Sequence, residues 1–372
     1  MAKLSYTDSG VDYGRLDAFK RACQLAGLSP ESSTAESSTV KSSAPKLSTP
    51  LGESASLIEL DNSFLAHVEE GLGTKHLVAD AMFALTGACH YRSIGIDLVA
   101  AIVNDLVATG AMPVSVAMHV SAGSGAWFAD ETRSKELIDG FAQGCRSGGA
   151  TWGGGETATL KDVVSESSVV LSGSAVGIIQ PKSKRIAPSI KDRDAILFIA
   201  SSGIHANGLT LVREVSGRLP DGYLTKLADG RTFGEALLTP SAIYVELIHQ
   251  CQIEKIDLHY AIPITGHGWR KLMRADEPFV YRIDVVRDPT PEFKLMIDQN
   301  FIDEAEAYAT FNMGAGFALM VDEADVSKVI DVARRSNYNA WRAGTVIKNG
   351  SEKAVEIAPL GIRYAADSLR LR

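Results

Sequence analysis

Tyr91–Pro113 reads YRSIGIDLVAAIVNDLVATGAMP, and its periodicity limits what the rest of the chain can be. At about 100° per residue, Ile96, Leu98, Val99, Ile102, Val103, Leu106 and Val107 cover one wide face of a helix. Such a helix is buried over most of its surface. The narrow remaining face carries Asp97, Ala101, Asn104, Asp105 and Ala108, with no basic residue among them. A carboxylate taken out of water needs a partner, and two readings stand. Either the acids face a cation seated over the small alanines, with Mg²⁺ the suited ion for hard oxygen ligands, or they pair with arginines from elsewhere in the fold.

The chain has 372 residues, enough for two domains of ordinary size and a substantial core. Its 45% hydrophobic and 22% charged residues are globular values, and the net charge of −8 disfavours nucleic acid or an anionic membrane surface as a main partner. Four cysteines, Cys23, Cys89, Cys145 and Cys251, are widely spaced and contain no CxxC pair. That argues against structural zinc and a disulfide framework and suits a reducing compartment. The first residues, MAKLSYTDSGVD, offer no apolar core for a signal peptide, and no stretch is apolar enough to span a bilayer. A cytoplasmic protein with neither nucleic acid nor membrane as partner is expected.

Taken in order, a short helix is expected over 17–25, then a Ser, Thr and Pro-rich tether from Leu28 to Pro50. A strand from Ser63 to Val68 feeds the segment Glu69-Glu70-Gly71-Leu72-Gly73-Thr74-Lys75. Read as a loop, this segment brings backbone close to phosphate at Gly71 and Gly73, a point charge at Lys75 and a metal ligand at Glu70; read plainly, it is a turn. Downstream are a strand from Pro113 to Val120, an amphipathic helix from Lys135 to Arg146 with Leu137, Ile138 and Phe141 inward, and Trp152-Gly153-Gly154-Gly155-Glu156-Thr157. The glycines there press backbone against a ligand or against another strand, with Glu156 presented from a bend. A strand over 169–179 closes the first half, and the Lys, Arg and Pro-rich Gln180 to Asp192 is the natural boundary. The second half opens on the strand Ala195 to Ala200, the loop Ser201-Ser202-Gly203-Ile204-His205-Ala206-Asn207-Gly208 and a helix over 209–215. Free N–H groups and a helix dipole make this an anion site in pattern, with His205 and Asn207 adding polar reach. Glycine turns recur at Ile264-Thr265-Gly266-His267-Gly268 and Thr310-Phe311-Asn312-Met313-Gly314-Ala315-Gly316. Alternating strands and helices imply an α/β or α+β architecture.

Seven stretches, in one order, resemble the aminoimidazole ribonucleotide (AIR) synthetase family, also called phosphoribosylformylglycinamidine cyclo-ligase. They are IGIDLVAAIVNDLVATGAMP, GGET at 154–157, SSGIHANGLTLVRE at 201–214, ITGHG at 264–268, TFNMGAGF at 310–317, AWRAGTV at 340–346 and the opening LSYTDSGVD at 4–12. The resemblance implies an N-terminal arm with its tether over 1–56, an ATP-binding and dimerisation domain over 57–180 and a second α/β domain over 181–372. It further implies that the N-terminal halves of two subunits pair into a β-barrel, making a homodimer.

The implied reaction converts formylglycinamidine ribonucleotide and ATP to aminoimidazole ribonucleotide, ADP and phosphate. On this resemblance Asp105 and Glu70 take Mg²⁺, and Asp97 and Asn104 support the nucleotide site. Lys75 takes phosphate within the stretch Gly71, Gly73 and Thr74, Gly155 and Glu156 approach the cofactor, and His205 with Asn207 serves substrate and proton transfer. The chain departs from the family pattern at Glu70, an aspartate there, at Pro263, a histidine there, and at Lys20, about one turn early. A glycine-rich segment is reduced to Gly52. His267, four residues after Pro263, either takes over the proton-transfer or substrate-orienting role of the missing imidazole or points to solvent. Two alternatives remain: an ATP-dependent synthetase or kinase of the same superfamily acting on another small substrate, and a non-catalytic nucleotide-binding homodimer.

Overall fold

The computed structural model describes residues 3–7, 9–27, 48 and 52–369. Apart from Ser48, the expected tether between Leu28 and Pro50 lies outside the described residues. The architecture is mixed α/β with two sheets, as the alternation of elements implies.

After helix α1 (Tyr13–Gly27), the first sheet is built from β1 (Ser56–Glu59), β2 (Phe64–Gly71), β3 (Met112–Ala122), β4 (Thr151–Thr159) and β5 (Val169–Ile179), in the order β1-β2-β5-β3-β4. Its pairings are antiparallel except for β3 with β4. β5 alternates strictly, with Val169, Leu171, Ala175 and Ile179 buried, which is the period of a strand with one covered face. The cover comes from α3 (Tyr91–Val107), which follows α2 (Lys75–Thr86) and lies over β2 and β5. α3 is buried on nearly every side, as its sequence requires. Outside it lie α4 (Gly125–Ala129) and α5 (Glu131–Ser147), and α5 meets α3 at glycines. A Cβ on Gly140 would stand 2.0 Å from the Arg92 carbonyl oxygen, and one on Gly95 2.4 Å from the Phe141 nitrogen. On α5, Leu137 and Phe141 point inward as expected, but Ile138 is exposed, because the buried stripe runs 137, 141, 144, 145.

Two expectations are corrected here. The segment from Glu69 is not a loop until Leu72: Glu69, Glu70 and Gly71 complete β2, paired with Ser174, Gly173 and Ser172. Trp152 to Thr157 is not a bend but part of β4, an edge strand beside β3. Of the two roles read for its glycines, close approach to a strand is the one realised. Gly155 has φ 156°, and a Cβ there would lie 1.9 Å from the Met118 carbonyl oxygen.

The second sheet has the order β12-β11-β8-β10-β6-β9-β7. Its strands are β6 (Ala195–Ala200), β7 (Leu258–Pro263), β8 (Val280–Ile283), β9 (Ala315–Val321), β10 (Ala340–Ile347), β11 (Ala354–Ile357) and β12 (Ile362–Ala365). β6 and β9 read AILFIA and AGFALMV, continuous apolar runs that suit strands covered on both faces. The helices of this half are α6 (Leu209–Ser216), α7 (Phe233–Leu237), α8 (Val245–Ile253), α9 (Pro291–Asp298), α10 (Glu304–Thr310) and α11 (Val326–Arg335). α11 packs on β6 and β10, while α8 touches both α11 and α3, so the central helix of the first half also contacts the second. Among the described residues no helix is long and apolar enough to cross a membrane.

Candidate active site

A cleft of about 380 Å³ lies where α1, the end of β2, α3 and the 264–274 segment converge. β2 alternates Phe64, Ala66 and Val68 toward the interior, and Glu70 continues that face to the cleft. Asp105, on α3, meets it there. Three cations line the same space: Lys20 from α1, and Lys271 and Arg274 from the 3₁₀ turn Gly268–Arg274. Tyr6, Tyr13, Asn207, Thr265 and the predicted site residue His267 are among the other polar groups that line it. A larger depression of about 700 Å³ between Gly123–Gly125 and Thr159–Glu166 is open and lined mostly by exposed side chains, so it does not gather buried charge.

The electrostatics follow from crowding two acids in a dry site. Burial, and then the neighbouring Asp105 carboxylate, push the Glu70 carboxyl up to about 8. Burial and the nearby Arg274 bring the Lys271 ammonium down to about 8, against the opposing pull of Asp105 and Glu70. Lys271 also hydrogen-bonds the Thr265 hydroxyl. Asp105 Oδ1 is buried without a hydrogen-bond partner among the described residues, and among those residues no cluster of three or more His, Cys, Asp or Glu is arranged to hold a metal. Two adjacent carboxylates, one with an orphaned oxygen, fit Mg²⁺, which takes few protein ligands and fills its shell with water and substrate phosphate. Arg274 fixes the floor of the cleft by donating to the Gly52 carbonyl at 2.6 Å and the Ser54 hydroxyl at 2.5 Å.

Several expected site residues sit elsewhere. Lys75 does not reach the cleft: its Nζ is 2.7 Å from Asp97 Oδ2, both side chains are 0% exposed, and it donates to the Thr239 carbonyl at 2.9 Å. Asp97 also accepts from the Ser241 N–H at 2.8 Å and from the Ser241 hydroxyl. The partner is thus a lysine from α2, neither a bound cation nor an arginine. Asn104 donates to the Ala242 carbonyl and accepts from the Tyr244 N–H, each at 2.8 Å. Asp97 and Asn104 therefore join the two halves of the chain, whereas Asp105 alone of the three faces the cleft. Gly71 ends β2, and Gly73 and Thr74 dock on the 201–210 region, with Thr74 Oγ1 3.2 Å from Thr210 Oγ1. Gly155 and Glu156 lie on the exposed edge strand β4, outside the cleft.

His205 is also turned away from the cleft. At φ 62° its ring folds inward, and Nε2 accepts from the Ser202 N–H at 3.2 Å and the Ala242 N–H at 3.5 Å. The ring is therefore neutral with its proton on Nδ1. Burial drives its pKa to about 3, with the charge of Lys75 acting in the same direction. A histidine held neutral in the fold contributes stability above its ordinary value of about 6.5, and that stability is lost as pH falls toward about 3. We expect His205→Asn, a residue that tolerates left-handed backbone, to flatten the pH dependence of stability across this window in acid-unfolding curves. An unchanged slope would exclude the buried neutral imidazole.

The sequence is similar to known proteins over most of its length. It matches the N-terminal domain of AIR synthase related proteins over residues 52–179 and their C-terminal domain over residues 191–356. A phosphoribosylformylglycinamidine cyclo-ligase from Nitrosococcus oceani is 32% identical over 357 residues, covering 94% of this chain and 93% of its own. The chain belongs to the phosphoribosylformylglycinamidine cyclo-ligase family. The cyclo-ligase of Methanocaldococcus jannaschii is likewise 32% identical, over 79% of this chain and 81% of its own. Solved structures extend the likeness in fold alone. A thiamine-monophosphate kinase from Stenotrophomonas maltophilia superposes with a TM-score of 0.59 at 18% identity, covering 84% of this chain and 91% of its own. A hydrogenase maturation protein HypE does so with 0.60 at 19%, covering 86% and 94%.

In this cyclo-ligase family member, sequence reasoning singled out neither Lys271 nor Arg274 and gave Lys20 no role. The signal was present: Lys271 and Arg274 are three apart, directly after the ITGHG turn, and Tyr13, Lys20 and Gln24 recur on one face of α1.

Proposed function

We propose that the protein is an ATP-dependent cyclo-ligase of purine biosynthesis, converting formylglycinamidine ribonucleotide to aminoimidazole ribonucleotide with release of ADP and phosphate. The observation that carries this reading is the Glu70 and Asp105 pair facing Lys20, Lys271 and Arg274 in one cleft, in a chain of this family. In the reaction the γ-phosphoryl group passes to the formyl amide oxygen. The amidine nitrogen then attacks that carbon, and the carbon–oxygen bond breaks with phosphate as leaving group while the ring nitrogen gives up its proton. Phosphoryl transfer asks for charge neutralisation and alignment more than for a nucleophilic side chain. Lys20, Lys271 and Arg274 supply positive charge toward phosphate oxygens, and Asn207 supplies an orienting amide. Glu70 and Asp105 would hold Mg²⁺, which when bound neutralises phosphate charge. The test is product formation: purified protein with formylglycinamidine ribonucleotide, ATP and Mg²⁺ should yield the aminoimidazole. ATP hydrolysis without that product would sink the assignment.

Because Glu70 retains a proton at neutral pH, cation binding at this pair should release one. Mg²⁺ affinity is expected to rise with pH up to about 8 and to level off above it. Titration calorimetry in two buffers of different ionisation enthalpy measures the proton released, and none released would remove Glu70 from the metal.

We place the boundary between the two domains at 180/181 and read the protein as a cytoplasmic homodimer. The first sheet leaves Val114 and Val170 about half exposed and β4 uncovered along its edge. An apolar sheet face and a free edge are what a second copy would cover. Light scattering should report twice the chain mass, and a stable, active monomer at micromolar concentration would contradict the pairing.

A further inference from the structure

α1 is held in an unusual way. Of its side chains the structure describes, only Asp17 is buried, while Leu16, Phe19 and Leu25 are substantially exposed. A helix anchored by a carboxylate, with its apolar residues outside, gets little of its position from hydrophobic packing. Its anchor is the 265–268 loop. His267 has φ 70°, and this left-handed backbone turns the ring inward until it is 4% exposed. The ring stacks on Tyr13 with centroids 3.9 Å apart and 26° between planes, and its Nε2 lies 3.0 Å from Asp17 Oδ2. The His267 backbone N–H donates to the Tyr13 hydroxyl at 3.1 Å. Arg270 lies over the Tyr13 ring at 5.7 Å and ties this corner to the Ala309 and Ser368 carbonyls.

We propose that Asp17, Tyr13 and His267 form a latch that fixes α1 over the cleft and so places Lys20 beside the Glu70 and Asp105 pair, making Asp17 and His267 positioning residues for the phosphate-bearing substrate. The side of α1 that bears Asp17 also bears Lys20, one turn on, and Lys20 lines the cleft together with Glu70 and Asp105, so the helix brings a cation to the acids. A lysine on a loose helix spends rotamer and backbone entropy each time it meets phosphate, and a latched helix has already lost that freedom. His267 also lines the cleft, and its Nε2 is committed to the latch. Burial lowers its pKa against the opposing pull of Asp17, and the neutral ring commits its Nε2–H to that carboxylate. The part of this inference that concerns Lys20 rests on the cyclo-ligase reading; the latch itself does not.

The experiment uses the full chain and three substitutions. His267→Gly removes the ring while suiting φ 70°, His267→Gln restores an N–H donor, and Asp17→Ala removes the acceptor. Hydrogen exchange over residues 13–27 should accelerate at least ~10-fold in His267→Gly and Asp17→Ala, with the rest of the chain unchanged. Exchange in His267→Gln should return toward the parent. In the cyclisation assay, His267→Gly should raise KM at least ~10-fold and leave kcat within a few-fold, and in a Lys20→Ala background it should add no further loss. Unchanged exchange over 13–27 overturns the latch. A fall in kcat without faster exchange returns His267 to proton transfer, and additive losses with Lys20→Ala overturn the positioning of Lys20. Absence of the aminoimidazole product in the parent would refute the functional reading alone, since exchange still decides the latch.

Discussion

Lys75→Met should lower the free energy of unfolding by about 3–5 kcal/mol, the range found when one partner of a buried ion pair is removed. The methionine keeps the volume of the side chain but leaves Asp97 with only Ser241 as donor, in a place where both charged groups are 0% exposed. Burial alone pushes the Asp97 carboxyl up and the Lys75 ammonium down, and each charge is the largest counterweight to the other. The loss is therefore that of an uncompensated buried anion, not the worth of the pair. The double variant Lys75→Met, Asp97→Asn carries no buried charge, keeps an acceptor for the Ser241 N–H and should cost less than Lys75→Met alone. Denaturant unfolding monitored by two probes measures all three. A loss below about 1 kcal/mol for Lys75→Met would mean the pair is solvated in the protein.

Asp105→Asn should reduce turnover at least ~100-fold, an effect of the size seen when a preorganised electrostatic group is removed, without lowering thermal stability. Asp105 makes no salt bridge among the described residues, and in the cleft it acts on another acid, Glu70, as well as on the Lys271 ammonium. Neutralising it removes repulsion, so the Glu70 carboxyl should move down toward the ordinary carboxylate range. Carboxyl infrared difference spectra across neutral pH give that shift independently of activity. Retained turnover at limiting Mg²⁺ would dismiss the metal role, and a marked loss of stability would show that Asp105 is a structural ion-pair member after all.

The contrast between these two aspartates shows how far the sequence could be followed. α3 was legible as a buried helix because seven apolar positions at helical spacing leave no other solution. That its narrow face needed partners was legible too, since buried acids do. Which partner each acid found was not, because Lys75 is 22 positions before Asp97 and Ser241 144 after it, and periodicity carries no information across such separations. Glu70 was misplaced into a loop although Phe64, Ala66, Val68 and Glu70 continue one strand face; two glycines drew the boundary too early. At Gly155 the sequence offered ligand or strand, and only the carbonyl of Met118 decided it. His267 was expected to serve proton transfer or substrate orientation from its place in the loop; that its left-handed backbone also points the ring at Asp17, some 250 residues away, was not legible.

The junction between the halves has one more property. Lys75, Asp97 and Asn104 reach across to the Thr239 carbonyl, the Ser241 N–H, the Ala242 carbonyl and the Tyr244 N–H, and of the side chains on that far segment only the Ser241 hydroxyl takes part. Main-chain groups are the same whatever residue carries them. The hold on the central helix thus rests on the path of the main chain over 239–244, while Tyr244 is fixed separately, its ring buried against Phe317 and Tyr338 and its hydroxyl donating to the Ala200 carbonyl. Adding or deleting a single residue within it would shift the main-chain groups against Lys75, Asp97 and Asn104 together. At this junction it is the spacing of the chain that keeps the two halves in register.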